Sequence, residues 1–434
     1  MSSQTTRGGS IPAWVGIYLR DHVVHIAVVA LFVAYPFLYD FLTATFGLTA
    51  EMLLPEVRTM LTVLWLGLFA MSFDFISGYT GYLSFGHAAF FGIGAYFVVL
   101  GYNGQLPVIP AELPFMALML LGALLAVVSA FLIGLVAFRL TGVYFAMITL
   151  GIAEIMFIVA TRWDFLTPGD GDPRDGIAAG SPPDVALFEP EIGIPFVDPL
   201  NAQIGPFGEE TLLGINIGDP EIVSYFMIGA VVLVCYFCMQ RIIHSPFGRV
   251  MIAVRENEAR AKAIGYNTFN YKLGAFMLSA FFGGIAGALL VSFEGTVDPD
   301  TTFFFLVTGF ALVASIIGGL GTLAGPFFGY IFLEGIEEFL AREGGGGGLQ
   351  PFLEQTLPGG VLSTNLGGTT VSEALNSFMT GHGEFYTGII FILFVLYIPV
   401  GLLGTLRQRL GTESVAKYVS RRVGDRLAST DQSE

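Results

Sequence analysis

An all-α, multi-pass membrane fold is predicted for this chain. It has about ten transmembrane helices, some of them broken at glycines, and both termini on the cytoplasmic side. Three observations predict it. Of 434 residues, 54% are hydrophobic and only 12% charged, where a soluble domain carries about 25% charged residues. Ten stretches are apolar over about the 20 residues that a spanning helix needs. Drawn as spans, they leave most basic residues on one side.

Taken in order, residues 1–22 form the N-terminus, and five spans follow at 23–42, 57–76, 83–101, 114–138 and 142–160. Together these make a first membrane half over 23–160. The polar N-terminus leads into a full-length apolar span rather than a short signal core. An acidic external segment covers 161–220, and twelve carboxylates lie between 161 and 222 against Arg162 and Arg174. A span at 221–240 leads to a cytoplasmic loop at 241–269. Spans at 270–293, 303–320 and 322–341 come next. A second external segment at 342–384 opens with five consecutive glycines at 344–348 and reads as a linker. The last span is 385–405, and 406–434 form a cytoplasmic tail. The spans at 83–101 and 322–341 start in glycine-rich sequence and read as broken or partly re-entrant.

Charge supports this path. Arg7, Arg20, Arg139, the cluster from Arg241 to Lys272 and the six basic residues of the tail fall inside. Only Arg58, Arg162, Arg174 and Arg342 fall outside. The net charge of −16 is strongly acidic, with just three lysines, Lys262, Lys272 and Lys417. Such acidity keeps a protein hydrated at high salt, so it points to a halophilic archaeal source, and it argues against nucleic-acid partners. Cys235 and Cys238, the only cysteines, lie in an apolar span and read as two buried thiols rather than a redox or metal pair.

The 241–269 loop holds the longest polar, helix-favouring stretch, Ser245-Pro-Phe-Gly-Arg-Val-Met-Ile-Ala-Val-Arg-Glu-Asn-Glu-Ala-Arg-Ala-Lys-Ala-Ile-Gly265. Pro246 marks its start and Gly265 suits its stop. It reads either as a handle for a soluble partner or as a solvated loop that fixes topology. Three further blocks stand out: Gly78–Tyr96, with glycines at 78, 81, 86, 92 and 94; Leu140–Glu154; and Gly318-Gly-Leu-Gly-Thr-Leu-Ala-Gly-Pro326. With Pro399-Val-Gly-Leu-Leu403 and the Ser245–Gly265 stretch, these five blocks resemble, in order, the LivM-like permeases of branched-chain amino-acid ABC importers. The resemblance covers most of the chain. It departs at Thr167–Ile177, an altered form of the family's turn in a longer external segment.

The resemblance implies a plasma-membrane permease subunit that moves branched-chain or other hydrophobic amino acids. A related branch moves urea and short amides. The implied partners are two ABC ATPase subunits, a second permease in a heterodimer and an external solute-binding protein. It also implies that the Ser245–Gly265 loop couples to the ATPase, through Arg249, Arg255, Glu256, Glu258 and Gly265. The residues themselves offer no catalytic constellation: no Gly-Lys pair for a P-loop, no His-Glu-x-x-His and no Gly-x-Ser-x-Gly. No cofactor or metal is expected, and ATP hydrolysis is expected in a partner chain.

Candidates for the translocation path come from polar residues in apolar sequence. Gly81, Gly86, Ser84 and His87 lie where a broken helix exposes backbone groups that membrane carriers use for polar solutes. Asp74 and Glu154 are carboxylates inside spans, which are costly and face a cavity or a partner. Glu154 reads either as a contact for a basic group or as a helix–helix hydrogen bond, and Tyr144 and Thr149 precede it in the same block. Asp74 and Glu154 also leave open an ion-coupled secondary carrier that needs no ATPase. Glu294, Asp298 and Asp300 flank an external turn that reads either as a gate near the external mouth or as a solvated loop.

Overall fold

The structure, a computed structural model, describes residues 23–46, 54–107, 109, 113–163, 165–166, 176–178, 211–212, 215–216, 220–341, 365–366, 369–370, 383–398 and 401–405. The terminal segments expected at 1–22 and 406–434, and most of the two external segments, lie outside the described residues. The first half contains α1 (Val23–Phe46), α2 (Val57–Thr80), α3 (His87–Tyr102), α4 (Phe115–Ala137) and α5 (Val143–Arg162). The second contains α6 (Pro220–Ile243), α7 (Pro246–Ala263), α8 (Thr268–Glu294), the single turn α9 (Pro299–Thr302), α10 (Phe305–Gly318), α11 (Gly325–Ala341) and α12 (Gly383–Tyr397). Among the described residues, seven helical stretches are long and apolar enough to cross a membrane.

α2 is the centre of the bundle. From Met60 to Thr80 only Thr62 and Leu66 are not buried, because α6, α8, α10 and α11 pack around it and α7 crosses its end. α8 is the second axis and packs on α2, α3 and α4. α4 and α5 instead present apolar outer faces, with Leu124 52% and Met147 62% exposed. Such faces suit lipid or a partner chain.

Three spans differ from the sequence reading. The helix expected from residue 83 starts at His87, after a non-helical 81–86 segment. α3 has 16 residues, about 24 Å, short of the roughly 30 Å hydrocarbon core. It stands because α4, α5, α8 and α10 enclose it. The helix expected over 303–320 runs only from Phe305 to Gly318, with the separate turn α9 before it, and the helix expected from 322 begins at Gly325. Cys235 is buried as expected, but Cys238 faces outward on α6. That is a correction: the two are three residues apart on a helix with one open face.

α7 starts as its sequence predicts. Pro246 occupies the first turn and the Ser245 Oγ accepts from the Gly248 N–H at 3.4 Å. It is not one continuous helix. Asn257 takes an extended conformation (φ −166°, ψ 100°). Its Oδ1 accepts from the Arg260 N–H at 2.9 Å, so it caps a second short segment. Near the opposite end of the bundle, β1 (Ile177–Ala178) pairs antiparallel with β4 (Thr296–Val297), Ile177 opposite Val297. The hairpins β2–β3 (Thr211–Leu212, Ile215–Asn216) and β5–β6 (Asn365–Leu366, Thr369–Thr370) complete the described strands.

Candidate functional site: the α2–α3 turn and its fastening to α7

α2 ends at Gly81, whose φ of 77° lets its N–H turn back onto the Ser77 carbonyl at 3.1 Å. The 81–86 segment then passes from the exposed Gly81 to the buried Ser84 and Gly86, so the backbone groups at its buried end need partners. Thr149 of α5 accepts from the Phe85 N–H at 3.1 Å, and Thr308 of α10 accepts from the Ala88 N–H at 2.8 Å. Gly86 lies against Thr149 so closely that an added Cβ would sit 2.5 Å from the Thr149 carbonyl oxygen. Ser84 is fully buried and its Oγ has no partner among the described residues.

His87 opens α3 and is fully buried. Its Nε2 lies 3.1 Å from both Ser72 Oγ of α2 and Ser279 Oγ of α8. The Ser72 hydroxyl donates to the Phe69 carbonyl and the Ser279 hydroxyl to the Ser72 carbonyl, each at 2.6 Å. With both hydroxyl hydrogens used, Nε2 is the donor of this cluster. His87 Nδ1 has no partner among the described residues. The rings of Phe69, Phe73 and Phe90 enclose the imidazole.

Asp74 sits at the other face of α2, fully buried. Its Oδ1 accepts from the Gly321 N–H at 2.8 Å, while its Oδ2 has no hydrogen bond among the described residues. The 318–326 block is the tight turn between α10 and α11. Gly321 has φ 79°, and an added Cβ would meet Arg255 Nη1 at 2.9 Å. Arg255 of α7 donates from Nη1 to the Gly78 carbonyl at 2.5 Å. Asp74, Gly78, Gly321 and Arg255 therefore join three separate chain segments at one point.

Glu258 makes the second joint. Its Oε2 accepts from the Tyr82 hydroxyl at 2.6 Å. Its Oε1 accepts from Thr268 Oγ1 at 2.8 Å and from Lys262 Nζ and Lys272 Nζ at 2.9 Å each. Lys272 is 3% exposed. Its ammonium lies over the Tyr82 ring, 4.5 Å from the centroid. Burial acts to raise the Glu258 carboxyl. The Tyr82, Lys262, Lys272 and Thr268 donors together outweigh it and hold the group down to about 2. Burial, then Glu258 itself, raise the Tyr82 phenol, so it stays a donor. A carboxyl depressed from the ordinary 4.5 stabilises the fold above that value and loses this contribution as pH falls toward about 2. Hydrogen exchange of α7 amides, corrected for intrinsic rate, is expected to rise through that window. The window is expected to disappear in Glu258→Gln.

The family model for the branched-chain amino acid transport system permease component matches residues 57–361. The chain belongs to this family. It is 29% identical over 317 residues to the high-affinity branched-chain amino acid transport system permease protein LivM of Escherichia coli, covering 72% of this chain and 67% of that protein. A 98-residue stretch is 32% identical to LivM of Methanocaldococcus jannaschii, described as probable, covering 22% of this chain and 28% of that one. A stretch of the same length is 32% identical to the Escherichia coli permease protein LivH, covering 23% and 31%. No solved structure matches. The permease is thus a multi-pass membrane protein of a transport family, not of an enzyme family.

Within the permease, the expected site residues divide into groups. Ser84, Gly86, His87 and Thr149 gather at the start of α3. Asp74 and Gly81 lie beside α7 instead: a Cβ on Gly81 would stand 3.2 Å from Arg255 Cγ. Tyr144 is 69% exposed on the outer face of α5, apart from both groups. Glu154 is half-buried on α5 and has no basic partner among the described residues. On α7, the Arg249 and Glu256 side chains and Gly265 face outward, and Arg255 is partly exposed while anchored. Glu258 faces inward.

Sequence reasoning missed Tyr82, Lys272, Thr268, Ser72, Ser279 and Thr308. Lys272 carried a readable signal, as one of three lysines and the one at the foot of an apolar span. The serines and threonines carried none, since hydroxyls pack into membrane helices at many positions. Also missed was a cavity of about 600 Å³ between α2, α8, α10 and α11, at the end of the bundle away from α7.

Proposed function

We propose that this permease forms the membrane path of a binding-protein-dependent ABC importer for branched-chain or other hydrophobic amino acids, in the plasma membrane. Separate ATPase subunits drive it by docking on α7. The observation that carries this reading is the double fastening of α7. Arg255 ties it to the Gly78 carbonyl, and Glu258 ties it to Tyr82 and Lys272. Both joints end on the 78–82 segment that leads into the buried start of α3. A push on α7 therefore reaches the Ser84–His87 turn through rigid contacts. Arg249, Glu256 and Gly265 stand on the outward side and are assigned to the ATPase contact. Ser84, Gly86, His87 and Thr149 are assigned to the path.

A second, related permease is inferred because proteins named LivM and LivH both match this chain. The open face of α5, with Tyr144 and Glu154, is assigned to it. An external binding protein completes the assembly. The strong acidity of the chain supports a halophilic archaeal source.

The test is purification in mild detergent at high salt, then reconstitution and uptake. ATPase subunits are expected to co-purify, and leucine uptake is expected to require ATP. The charge reversals Glu256→Arg and Arg249→Glu are expected to weaken ATPase retention several-fold without loss of fold. Uptake without ATP by the lone chain would establish an ion-coupled carrier instead. Uptake of urea but not leucine would move the permease to the amide branch.

A further inference from the structure

Asp74 is only half used in the fastening described above. Its Oδ1 takes the Gly321 N–H. Its Oδ2 is buried and has no hydrogen-bond partner among the described residues. Neither protonation state suits that setting. An ionised carboxylate is buried without a counter-charge, and a protonated one holds a hydroxyl with nothing to donate to. This conformation therefore leaves Asp74 one partner short.

The cation within electrostatic reach is Arg255, but its Nη1 is spent on the Gly78 carbonyl. Gly78 follows Asp74 by four residues, so the two lie on one face of α2, about 6 Å apart along the axis. Glycines keep the space between guanidinium and carboxylate open. A Cβ on Gly78 would collide with the Asp74 carboxylate, and one on Gly321 would stand 2.9 Å from Arg255 Nη1. The Asp74 side of this gap is fixed. The 318–326 turn is tied to α2 twice, through Gly321 and through the Leu323 N–H, which donates to the Tyr79 hydroxyl oxygen at 3.0 Å. The Arg255 side can move: its long side chain is 37% exposed, and α7 breaks two residues later at Asn257. The Gly78 carbonyl is a replaceable partner. It is one of the last carbonyls of α2, which lack a helical donor, and the Tyr82 N–H that would reach it donates to Thr80 Oγ1 at 3.4 Å instead.

We propose, building on the assignment of α7 to the ATPase contact, that Asp74 is a second seat for the Arg255 guanidinium. In the first seat Arg255 holds the Gly78 carbonyl. When α7 is pushed toward the bundle, the guanidinium shifts about one helical turn along α2 and forms a charge-assisted pair with Oδ2. The Gly78 carbonyl is released, and with it the end of α2 that leads into the Ser84–His87 turn. Two discrete seats make this joint a latch with two positions. Asp74 acts through Arg255 and the turn, so it is a positioning residue for transport and not a contact for the solute.

The experiment uses the full complex in liposomes with Asp74→Asn, whose amide oxygen still accepts from the Gly321 N–H. Leucine imported per ATP hydrolysed is expected to fall about tenfold, since one charge-assisted bond is lost. The nucleotide-free permease is expected to unfold at or above the wild-type temperature, because its buried carboxylate has no counter-charge to lose. In an Arg255→Ala background, Asp74→Asn is expected to change transport no further. Contact is read directly in Arg255→Lys, which leaves Asp74 intact. A carbodiimide joins an amine to a carboxylate that it touches, and peptide mass spectrometry is expected to show residue 255 linked to Asp74 with ATP and vanadate bound but not without nucleotide. A linkage absent from the trapped complex, or equal in both states, would overturn the proposal, and this result decides alone should Asp74→Asn fail to fold. Wild-type transport in a folded Asp74→Asn, or an additive loss in the Arg255→Ala background, would overturn it too. So would a transport loss matched by a lower unfolding temperature, which would make Asp74 purely structural. Wild-type import that requires ATP separates the two readings. Where it holds, these results sink the latch alone; where it fails, the assignment of α7 falls and takes the latch with it.

Discussion

Gly94→Ala and Gly287→Ala are each expected to abolish or severely reduce the folded permease, while Gly151→Ala leaves it unchanged. α3 and α8 touch backbone to backbone. A Cβ on Gly94 would lie 2.0 Å from the Gly284 carbonyl oxygen, and one on Gly287 would lie 1.9 Å from that of Phe91. The obstacle in both cases is main chain, which cannot rotate away as a side chain can. The two helices must then part by about an ångström or more along their crossing. Overpacking a well-filled core costs about 1–3 kcal/mol, occasionally more, and rigid backbone on both sides puts these sites at the upper end. The damage reaches the site as well, because α3 carries His87 and α8 carries Ser279 and Lys272. Gly151 is the control. It lies on the open face of α5 with nothing within 4 Å of an added Cβ. Thermal unfolding in detergent separates the cases. Wild-type stability in Gly94→Ala and Gly287→Ala would mean that α3 and α8 do not meet backbone to backbone at these glycines.

These glycines show how much of the molecule the sequence displays. Gly94 belongs to a block that stands out for its glycine content. Its partner could not be named, because Gly284 and Gly287 look like ordinary small residues of a long apolar span. Helix identity was legible wherever apolar runs were long, as in α2, α4 and α8. Starts were less so. Leu83 to Phe85 reads as span because apolar residues form both helix and buried turn, and only the positive φ at Gly81 sets the true boundary. In the same way Ser245 and Pro246 announced the start of α7, but Asn257 did not announce its break. Asparagine is tolerated inside a helix and caps one when the local chain extends.

The candidate site was half legible for a related reason. Polar residues in apolar surroundings drew notice, hence Asp74, Ser84, His87 and Thr149. What they bond to depends on packing between distant segments: Gly321 reaches Asp74 across 247 residues, and Lys272 reaches Tyr82 across 190. Local pattern carries no record of such pairs. Glu258 is the clearest case. On a polar helix it reads as a surface charge, and only the position of Lys272 beneath it turns it inward.

That inward placement gives the second large effect. Glu258→Ala is expected to detach α7 from the 78–82 segment and to uncouple ATP hydrolysis from transport. The variant removes the acceptor shared by Tyr82, Thr268, Lys262 and Lys272, and it leaves the Lys272 ammonium, 3% exposed, without a counter-charge. Breaking one partner out of a buried ion pair costs about 3–5 kcal/mol. The Tyr82 and Phe138 rings near the ammonium offset part of that. Arg255→Ala is expected to cost less, since its partly exposed side chain can be replaced by water at the Gly78 carbonyl. The pair is separable from simple misfolding by a cycle. Glu258→Gln with Lys272→Met removes both charges, and neutral replacement of a buried pair is often tolerated. The double variant is therefore expected to recover α7 protection in hydrogen exchange beyond either single change. In the reconstituted complex, leucine imported per ATP hydrolysed should fall in Glu258→Ala and recover in the double variant. A Glu258→Ala permease that keeps both α7 protection and the wild-type transport ratio would show that α7 is held by Arg255 and its apolar face alone, and the Glu258–Lys272 joint would lose its role in transmitting force.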